Sequence, residues 1–129
     1  GSRFRLEAPI SPDMDTTASG LNVLTQVLDA SSLRHRVIAQ NVANVNTPRY
    51  RRLEVSFEDD LARALLSPTG GTAVKPRVVV ADGPERVDGN TVDIDREMGD
   101  LTRNSLLYQA AAQILTSRIA SLRAAIAGR

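Results

Sequence analysis

The 129-residue sequence contains no cysteine and no tryptophan, and aromatic residues make up only 3% of it. The absence of cysteine excludes disulfides, thiolate metal sites and cysteine nucleophiles. With so few aromatic side chains, a core must be built from valine, leucine, isoleucine and alanine, which favours helix-on-helix packing over a β-sandwich. The sequence therefore predicts a mainly α-helical fold.

An excess of charge of one sign is also lacking. Sixteen Lys and Arg residues against fifteen Asp and Glu residues give a formal net charge of +1. This balance does not support a strong electrostatic attraction to nucleic acid or to an anionic membrane. The longest apolar runs are too short to cross a bilayer, and the N-terminus has no signal-peptide pattern. We expect no nucleic-acid partner, no membrane insertion and no cleaved export signal.

Few side chains suit catalysis or metal binding. His35 is the only histidine, so a multi-histidine zinc site or a Ser/His/Asp triad is hard to build. The segment 88–97, DGNTVDIDRE, collects acidic and amide side chains, but Asp93 stands where a calcium loop needs glycine. A turn followed by a helix cap explains this segment better. We expect no enzymatic activity, no metal and no cofactor.

Hydrophobic periodicity predicts two long helices joined by an irregular insert. Residues 1–19 mix prolines, glycines and charges without a period, begin with a Gly-Ser pair typical of a cloning remnant, and are expected to be disordered. We expect an N-terminal helix over 20–45 and a C-terminal helix over 93–129, with 20–129 forming one structural unit. Residues 46–92 hold four of the six prolines and indicate turns and short β-strands.

Each predicted helix carries a seam, meaning a line of mostly apolar residues at heptad spacing. The two seams predict that the helices pair as a coiled-coil-like hairpin. Ser31 and His35 are polar members of the first seam, and His35 is expected to pack or hydrogen-bond between helices.

Long stretches of both helices lack charge, including all fourteen residues of 104–117. High helix propensity is one explanation, because alanine is the best helix former. Cover by other subunits also explains the missing charge, since an uncharged helix is normally buried on every side. The residues predicted at the seams and interfaces are Leu24, Leu28, Ile38, Asn41, Val42, Asn44, Val45, Met98, Leu101, Tyr108, Ala112, Leu115, Ile119 and Leu122.

The first helix is expected to end in 40–50, QNVANVNTPRY, with a turn motif made of Asn46, Thr47, Pro48, Arg49 and Tyr50. Uncharged amides beside a seam can be buried when their donors and acceptors are matched across an interface. We therefore expect these amides to contact other subunits and set their register. The Pro-Arg pair favours a type I turn, because a type II turn needs positive φ at its third residue.

Two motifs, in this order, resemble those of the flagellar basal-body rod proteins. The first is QNVANVNTPRYRRLEVSFED, and the second is DGNTVDIDREMGDLTRNSLLYQAAAQIL. The residues that match are Asn41, Ala43, Asn44, Thr47, Pro48 and Tyr50 in the first motif, and Asp88, Gly89, Asn90, Val92, Asp95, Glu97, Met98, Asn104, Tyr108 and Gln109 in the second. Arg49 departs from the family, which commonly has glycine there.

The resemblance implies a structural component of the proximal rod, the drive shaft that crosses the periplasm above the membrane ring. It also implies export by the type III apparatus and assembly by packing of the terminal helices. The implied partners are further copies of the chain, other rod proteins, the membrane ring protein and the export apparatus. Two alternatives stay open at this point. One is another axial or adaptor protein of the rod, and the other is a small helical nucleic-acid-binding protein, for which the basic cluster RYRRLE at 49–54, together with RHR at 34–36, is the reason.

Overall fold

The computed structural model describes residues 12–67 and 73–128, and within them three helices and two strands follow one another along the chain. They are α1 (Pro12–Ala43), β1 (Leu53–Ser56), α2 (Glu58–Leu66), β2 (Arg77–Val80) and α3 (Ile94–Ile126). The two long helices run antiparallel, since Asn41 bonds to Glu97 while Gly20 lies beside Arg118. The mainly α fold with two long paired helices and a small strand-containing insert is confirmed.

The N-terminal helix begins earlier than the sequence predicts. It starts at Pro12 rather than near residue 20, so α1 includes residues 12–19, for which the sequence predicts disorder. Proline is favoured in the first turn of a helix, because its missing N–H would have no intrahelical acceptor there. Residues 1–11 of the predicted disordered segment lie outside the described residues. The helix ends at Ala43, two residues before the predicted end.

The C-terminal helix begins where its charges predict. The Asp93 side chain accepts hydrogen bonds from the backbone N–H groups of Asp95 and Arg96, at 3.0 and 3.4 Å. Asp95 and Glu97 place negative charge in the first turn, which the helix dipole favours. Gly128, with φ 77°, follows the last turn.

The insert forms a two-stranded antiparallel sheet that packs on α1. Its register runs from Leu53 opposite Val80 to Ser56 opposite Arg77. A buried cluster joins the sheet to α1, and half-buried side chains from α2 and the loop before β2 cover it. The cluster consists of Ala30, Val37, Val55 and Phe57, with Val27, Leu33, Leu53, Leu61 and Val74 packed against it. The insert therefore lies against the C-terminal half of α1.

Candidate assembly site

The line of α3 that packs closest on α1 is partly polar. Glu97, Asn104 and Ala111, seven residues apart, are 0, 5 and 4% exposed. The Asn104 side-chain amide donates to the Ser31 carbonyl at 2.8 Å, and Ser31 is 1% exposed. A heptad spacing is therefore present, but the closest line is one position away from the predicted seam of Met98, Ser105 and Ala112. This buried line combines two hydrogen-bonded polar side chains with one alanine.

Asn41 connects α1 to both β1 and α3. Its side-chain N–H groups donate to the Leu53 carbonyl at 2.7 Å and to Glu97 Oε1 at 2.8 Å. Its Oδ1 accepts from the Leu53 N–H at 2.9 Å and from the Tyr50 hydroxyl at 3.1 Å. All of these partners lie in the same chain, and Asn41 is 0% exposed. Asn41 is therefore matched inside the subunit, not across a subunit interface as predicted.

Arg52 and Glu97 form a buried ion pair. Arg52 Nε donates to Glu97 Oε2 at 2.8 Å, and the two side chains are 4 and 0% exposed. Glu54 and Asp100 contact the other nitrogens of the guanidinium at 3.3 and 3.5 Å. Burial alone would lower the pKa of Arg52, but the hydrogen bond and negative charge of Glu97 raise it. The guanidinium therefore stays charged and holds the sheet to the first turns of α3.

Asn90 binds the C-terminal end of α1, although it lies 46 residues after Asn44 in the sequence. Its side-chain amide donates to the carbonyls of Asn44 and Thr47 at 2.9 and 2.7 Å. Its Oδ1 accepts from the Val92 N–H at 2.7 Å, and the residue is 0% exposed. Carbonyls at a helix end lack intrahelical donors, so this contact satisfies them. We call Asn41, Arg52, Asn90 and Glu97 the polar joint.

The turn motif is held against the loop that carries Asn90. The Tyr50 N–H donates to the Thr47 carbonyl at 3.2 Å, and the Arg49 N–H donates to the Asp88 carbonyl at 2.8 Å. Arg49 has φ 63°, the positive value of a type II turn, so the predicted type I turn is wrong. The hydrogen bond to the Asp88 carbonyl therefore holds the backbone N–H of Arg49, the residue with positive φ. Burial raises the pKa of the neighbouring Tyr50 phenol, and the charge of Glu97 adds to the effect.

Large apolar side chains remain exposed around α3. We call Met98, Leu106, Leu107, Tyr108, Ile114 and Ile119 the assembly surface. Leu106 is 61% exposed and Ile114 is 47% exposed. At 100° per residue, the set lies on both flanks of the line that faces α1 and, at Leu106, on the back of the helix. A single chain therefore leaves several sides of α3 without apolar cover.

The predicted interface residues fall into three groups in the structure. Ile38 and Asn41 are buried within the chain, and Met98, Tyr108 and Ile119 are exposed at 42, 45 and 37%. The half-buried members are Leu24, Leu28, Val42, Asn44, Val45, Leu101, Ala112, Leu115 and Leu122. In the turn motif, Asn46, Thr47, Pro48 and Arg49 are exposed and Tyr50 is half-buried. His35 is exposed in the single chain and lines a cleft between α1 and α3. Its predicted hydrogen bonding between helices stays a prediction.

Several residues of the site were not among those predicted. Arg52, Asn90 and Glu97 complete the polar joint, although apolar periodicity gives no weight to charged and amide residues. The resembling motifs contain Asn90 and Glu97, and that was the available signal for them. Leu106 and Ile114 lie off the seam, within the uncharged stretch 104–117. The absence of charge in that stretch was the sequence feature that indicated contact with a partner.

The described residues offer little for chemistry. A cleft of about 290 Å³ between the sheet and α3 is lined by Arg34, Arg52 and Arg103, among others. Each of these arginines has a carboxylate within ion-pair distance, so the cleft has no uncompensated basic group among them. Within 12–67 and 73–128, no group of three or more His, Asp or Glu side chains is arranged to hold a metal. No helix in that part of the chain is long and apolar enough to span a membrane.

Known proteins resemble the chain over most of its length. A flagellar basal body rod protein FlgB from Borrelia hermsii is 32% identical over 134 residues, covering 88% of this chain and 99% of the relative. The chain belongs to the FlgB family of flagellar basal body rod proteins. FlgB of Cereibacter sphaeroides is 32% identical over 84% of the chain and 94% of its own length, and FlgB of Salmonella typhimurium is 29% identical over 89% and 98%. No family model matches the chain.

Membership of the FlgB family gives the two motifs a common structural explanation. The first motif supplies Asn41 and Tyr50, and the second supplies Asn90 and Glu97; hydrogen bonds link Asn41 to Tyr50 and to Glu97. Asn90 in turn bonds to the end of the first motif's helix. This FlgB-family chain is a structural component of the flagellar basal-body rod. Its motifs build the joint that fixes α1, the sheet and α3 in one arrangement.

Proposed function

We propose that the chain builds the proximal part of the rod by packing its α1 and α3 helices against those of neighbouring subunits. The assembly surface carries this proposal, because it exposes large apolar side chains on several sides of one helix. The proposal includes the predicted interface residues that remain exposed, namely Met98, Tyr108 and Ile119. The chain acts by assembly and not by catalysis, and it uses no cofactor.

The energetics favour burial of this surface in an assembly. Fully burying a leucine or isoleucine side chain contributes about 1.5 to 3 kcal/mol. Several half-exposed side chains of this kind give a driving force of several kcal/mol, before the cost of association is subtracted. The 104–117 stretch has no charge to desolvate, so burial there avoids the penalty that unpaired charges would add.

Family membership supports the proposed partners and place. The partners are further copies of the chain, other rod proteins, the membrane ring protein and the export apparatus. The rod crosses the periplasm, and we propose that the chain reaches it by type III export without cleavage of a signal. The polar joint would keep each subunit in one conformation while its assembly surface is buried against neighbouring subunits.

The test places a charge on the assembly surface without touching the polar joint. Ile119→Asp and Leu106→Asp are expected to abolish swimming and to remove the chain from purified basal bodies, because a buried carboxylate without a partner is costly. Swimming is measured by complementation of a strain that lacks the chain's own gene. The matched control is Val87→Asp, at a fully exposed valine outside the helices, and it should swim normally.

Circular dichroism of each purified variant is the control for folding and is expected to show the helix content of the parent chain. If both helix variants swim and assemble as well as the control, the assembly surface is not where subunits meet.

A further inference from the structure

One edge of the two-stranded sheet is closed by side chains of α1. Asn41 occupies both the N–H and the carbonyl of Leu53, as a neighbouring strand would. Arg34 Nη2 donates to the Val55 carbonyl at 3.2 Å, two residues further along β1. The outer edge of β1 is therefore used within the chain.

The other edge, along β2, has backbone groups that point away from β1. In an antiparallel pair, residues with both groups bonded to the partner strand alternate with residues whose groups point outward. The Ala81 N–H bonds to the Arg52 carbonyl at 3.0 Å, and Leu53 turns its groups to Asn41. In the register of this sheet, Val79 therefore faces β1, while the N–H and carbonyl groups of Val78 and Val80 point outward.

The side chains of β2 are also only partly covered. Val78 and Val80 lie opposite Val55 and Leu53, so the four share one face of the sheet. Val55 is 7% exposed and belongs to the core, whereas Val78 and Val80 are 46 and 60% exposed. The apolar face therefore extends past the part that α1 covers. A third strand beside β2 would extend this face and give Val78 and Val80 apolar neighbours, and an open valine-rich edge is a template for such pairing.

Charges at the two ends of β2 indicate which strand would pair with its outer edge. Lys75 precedes β2 and Asp82 follows it, and both are exposed. In the described part of the chain, neither forms an ion pair within 4.0 Å. Antiparallel pairing of two copies of β2 brings the basic start of each strand beside the acidic end of the other. The strand is thus complementary to itself in charge.

We propose that the outer edge of β2 pairs antiparallel with the same edge of a second copy of the chain, with Val79 of both strands at the twofold axis. Val78 of one copy then lies opposite Val80 of the other, so the outward N–H and carbonyl groups of both residues are paired. Four valines form one apolar patch on a continuous four-stranded sheet.

This dimer is a state of the free protein before it enters the rod. A twofold contact uses the same patch on both copies and closes the assembly, whereas an open helical filament requires head-to-tail contacts between different patches. Pairing of β2 edges therefore protects an aggregation-prone strand in the free subunit and must be released, or replaced by another partner, on assembly.

The test uses the chain with Ile119→Asp, so that packing of α3 surfaces does not contribute to self-association. Sedimentation velocity at increasing protein concentration is expected to show a monomer–dimer equilibrium. Amide hydrogen exchange by NMR should show protection of Val78 and Val80 that grows with concentration, while Val79 and Ala81 are protected throughout. A chain that is monomeric at all concentrations, or a dimer without the added protection, overturns the proposal.

Substitutions then identify the edge and its orientation. Val78→Lys should raise the dissociation constant by about tenfold or more, because two lysines would approach in the dimer. Val87→Lys, the same change at an exposed loop valine, should leave it unaltered. Lys75→Glu and Asp82→Lys should each weaken the dimer, and their combination should restore it. An unchanged dissociation constant for Val78→Lys, or no restoration in the combined variant, would show that another surface or another orientation is used.

Discussion

Asn41 shows how much a single amide can connect in this chain. It bonds to β1 as a strand would and to Glu97 on α3, and it accepts the Tyr50 hydroxyl. The short amide side chain offers two N–H donors and one acceptor oxygen, and these contacts use all three. The side chain therefore sets the position of the sheet relative to both helices.

Asn41→Asp is expected to destabilise the chain more than its small change in shape suggests. The carboxylate cannot donate to the Leu53 carbonyl and would face the negative Glu97 at hydrogen-bond distance. Loss of buried donors costs about 1 to 3 kcal/mol, and an added buried charge costs more. Urea unfolding measures the loss, with Asn46→Asp in the exposed turn as the control. Equal stability of the two variants would show that Asn41 does not make these buried hydrogen bonds.

The buried ion pair predicts a non-additive pair of substitutions. Glu97→Leu alone leaves Arg52 buried without its main partner and should cost about 3 to 5 kcal/mol. The combined variant Arg52→Met with Glu97→Leu should recover a large part of this loss, because apolar side chains of similar volume replace the pair. Unfolding midpoints of the single and double variants give the coupling free energy. A double variant as unstable as the sum of its singles would contradict the pairing.

At the scale of elements, the connection between α1 and β1 depends on a turn that its own sequence disfavours. Arg49 adopts φ 63° and is held there by the Asp88 carbonyl, next to Gly89 with φ 80°. A Cβ atom added at Gly89 would lie 3.1 Å from Arg49 Cγ. The two loops are thus fitted closely together, and a glycine at residue 49 would suit this backbone better because it has no Cβ atom.

Arg49→Gly is therefore expected to stabilise the chain by up to about 1 kcal/mol. A left-handed conformation costs a non-glycine residue about 1 to 2 kcal/mol, and part of the gain is offset by the greater freedom of glycine in the unfolded chain. Arg49→Val should lower stability, because a β-branched residue tolerates positive φ poorly. Thermal unfolding should place the two variants on opposite sides of the parent chain. A gain in the valine variant would mean that residue 49 does not need positive φ.

The contact between α2 and β2 predicts a pH dependence. Hydrogen bonds and charge from Arg77, with a smaller effect of Arg63, hold the pKa of the Asp60 carboxyl below its ordinary 3.8. Because the folded pKa is the lower one, the contribution of Asp60 to stability is present above about pH 4 and is lost as pH falls through the folded pKa. Asp60→Asn should be less stable than the parent at neutral pH, and the difference should shrink in acid. Unfolding curves across this range measure it, and a constant difference would contradict the ion pair.

At the scale of the whole molecule, we propose that α3 serves two purposes, one within the subunit and one in assembly. The same α3 packs on α1 along Glu97, Asn104 and Ala111 and exposes apolar side chains elsewhere. Its residues can therefore be divided into those needed for the subunit and those available for the rod.

Leu115→Asp and Ile119→Asp are expected to separate these two purposes. Leu115 is half-buried, so its aspartate variant should lower the unfolding temperature of the free chain and also block assembly. Ile119 is 37% exposed, so its variant should block assembly with a smaller change in unfolding temperature. Thermal melts of the purified variants, set beside their incorporation into basal bodies, make the comparison. Equal losses of stability would place both residues in the same environment.

Much of the fold follows from local pattern, and the site follows only in part. The helix start at Asp93 is predicted by acidic residues and a capping side chain, because capping involves only neighbouring residues. The closest line of α3 was missed by one position, since periodicity counts apolar residues and this line includes Glu97 and Asn104. The type I turn was wrong because the Arg49 conformation is fixed by Asp88, 39 residues away.

The sequence by itself determined two long helices, an irregular insert, an uncharged stretch on α3 and membership of the rod proteins. Each depends on the order of neighbouring residue types or on motifs that are short in sequence. Only the tertiary structure decided that Asn41, Arg52, Asn90 and Glu97 meet inside one subunit, and that no strand within 12–67 and 73–128 pairs with the outer edge of β2. These features depend on hydrogen bonds and ion pairs between residues far apart along the chain, which form only when the helices and the sheet have taken their places.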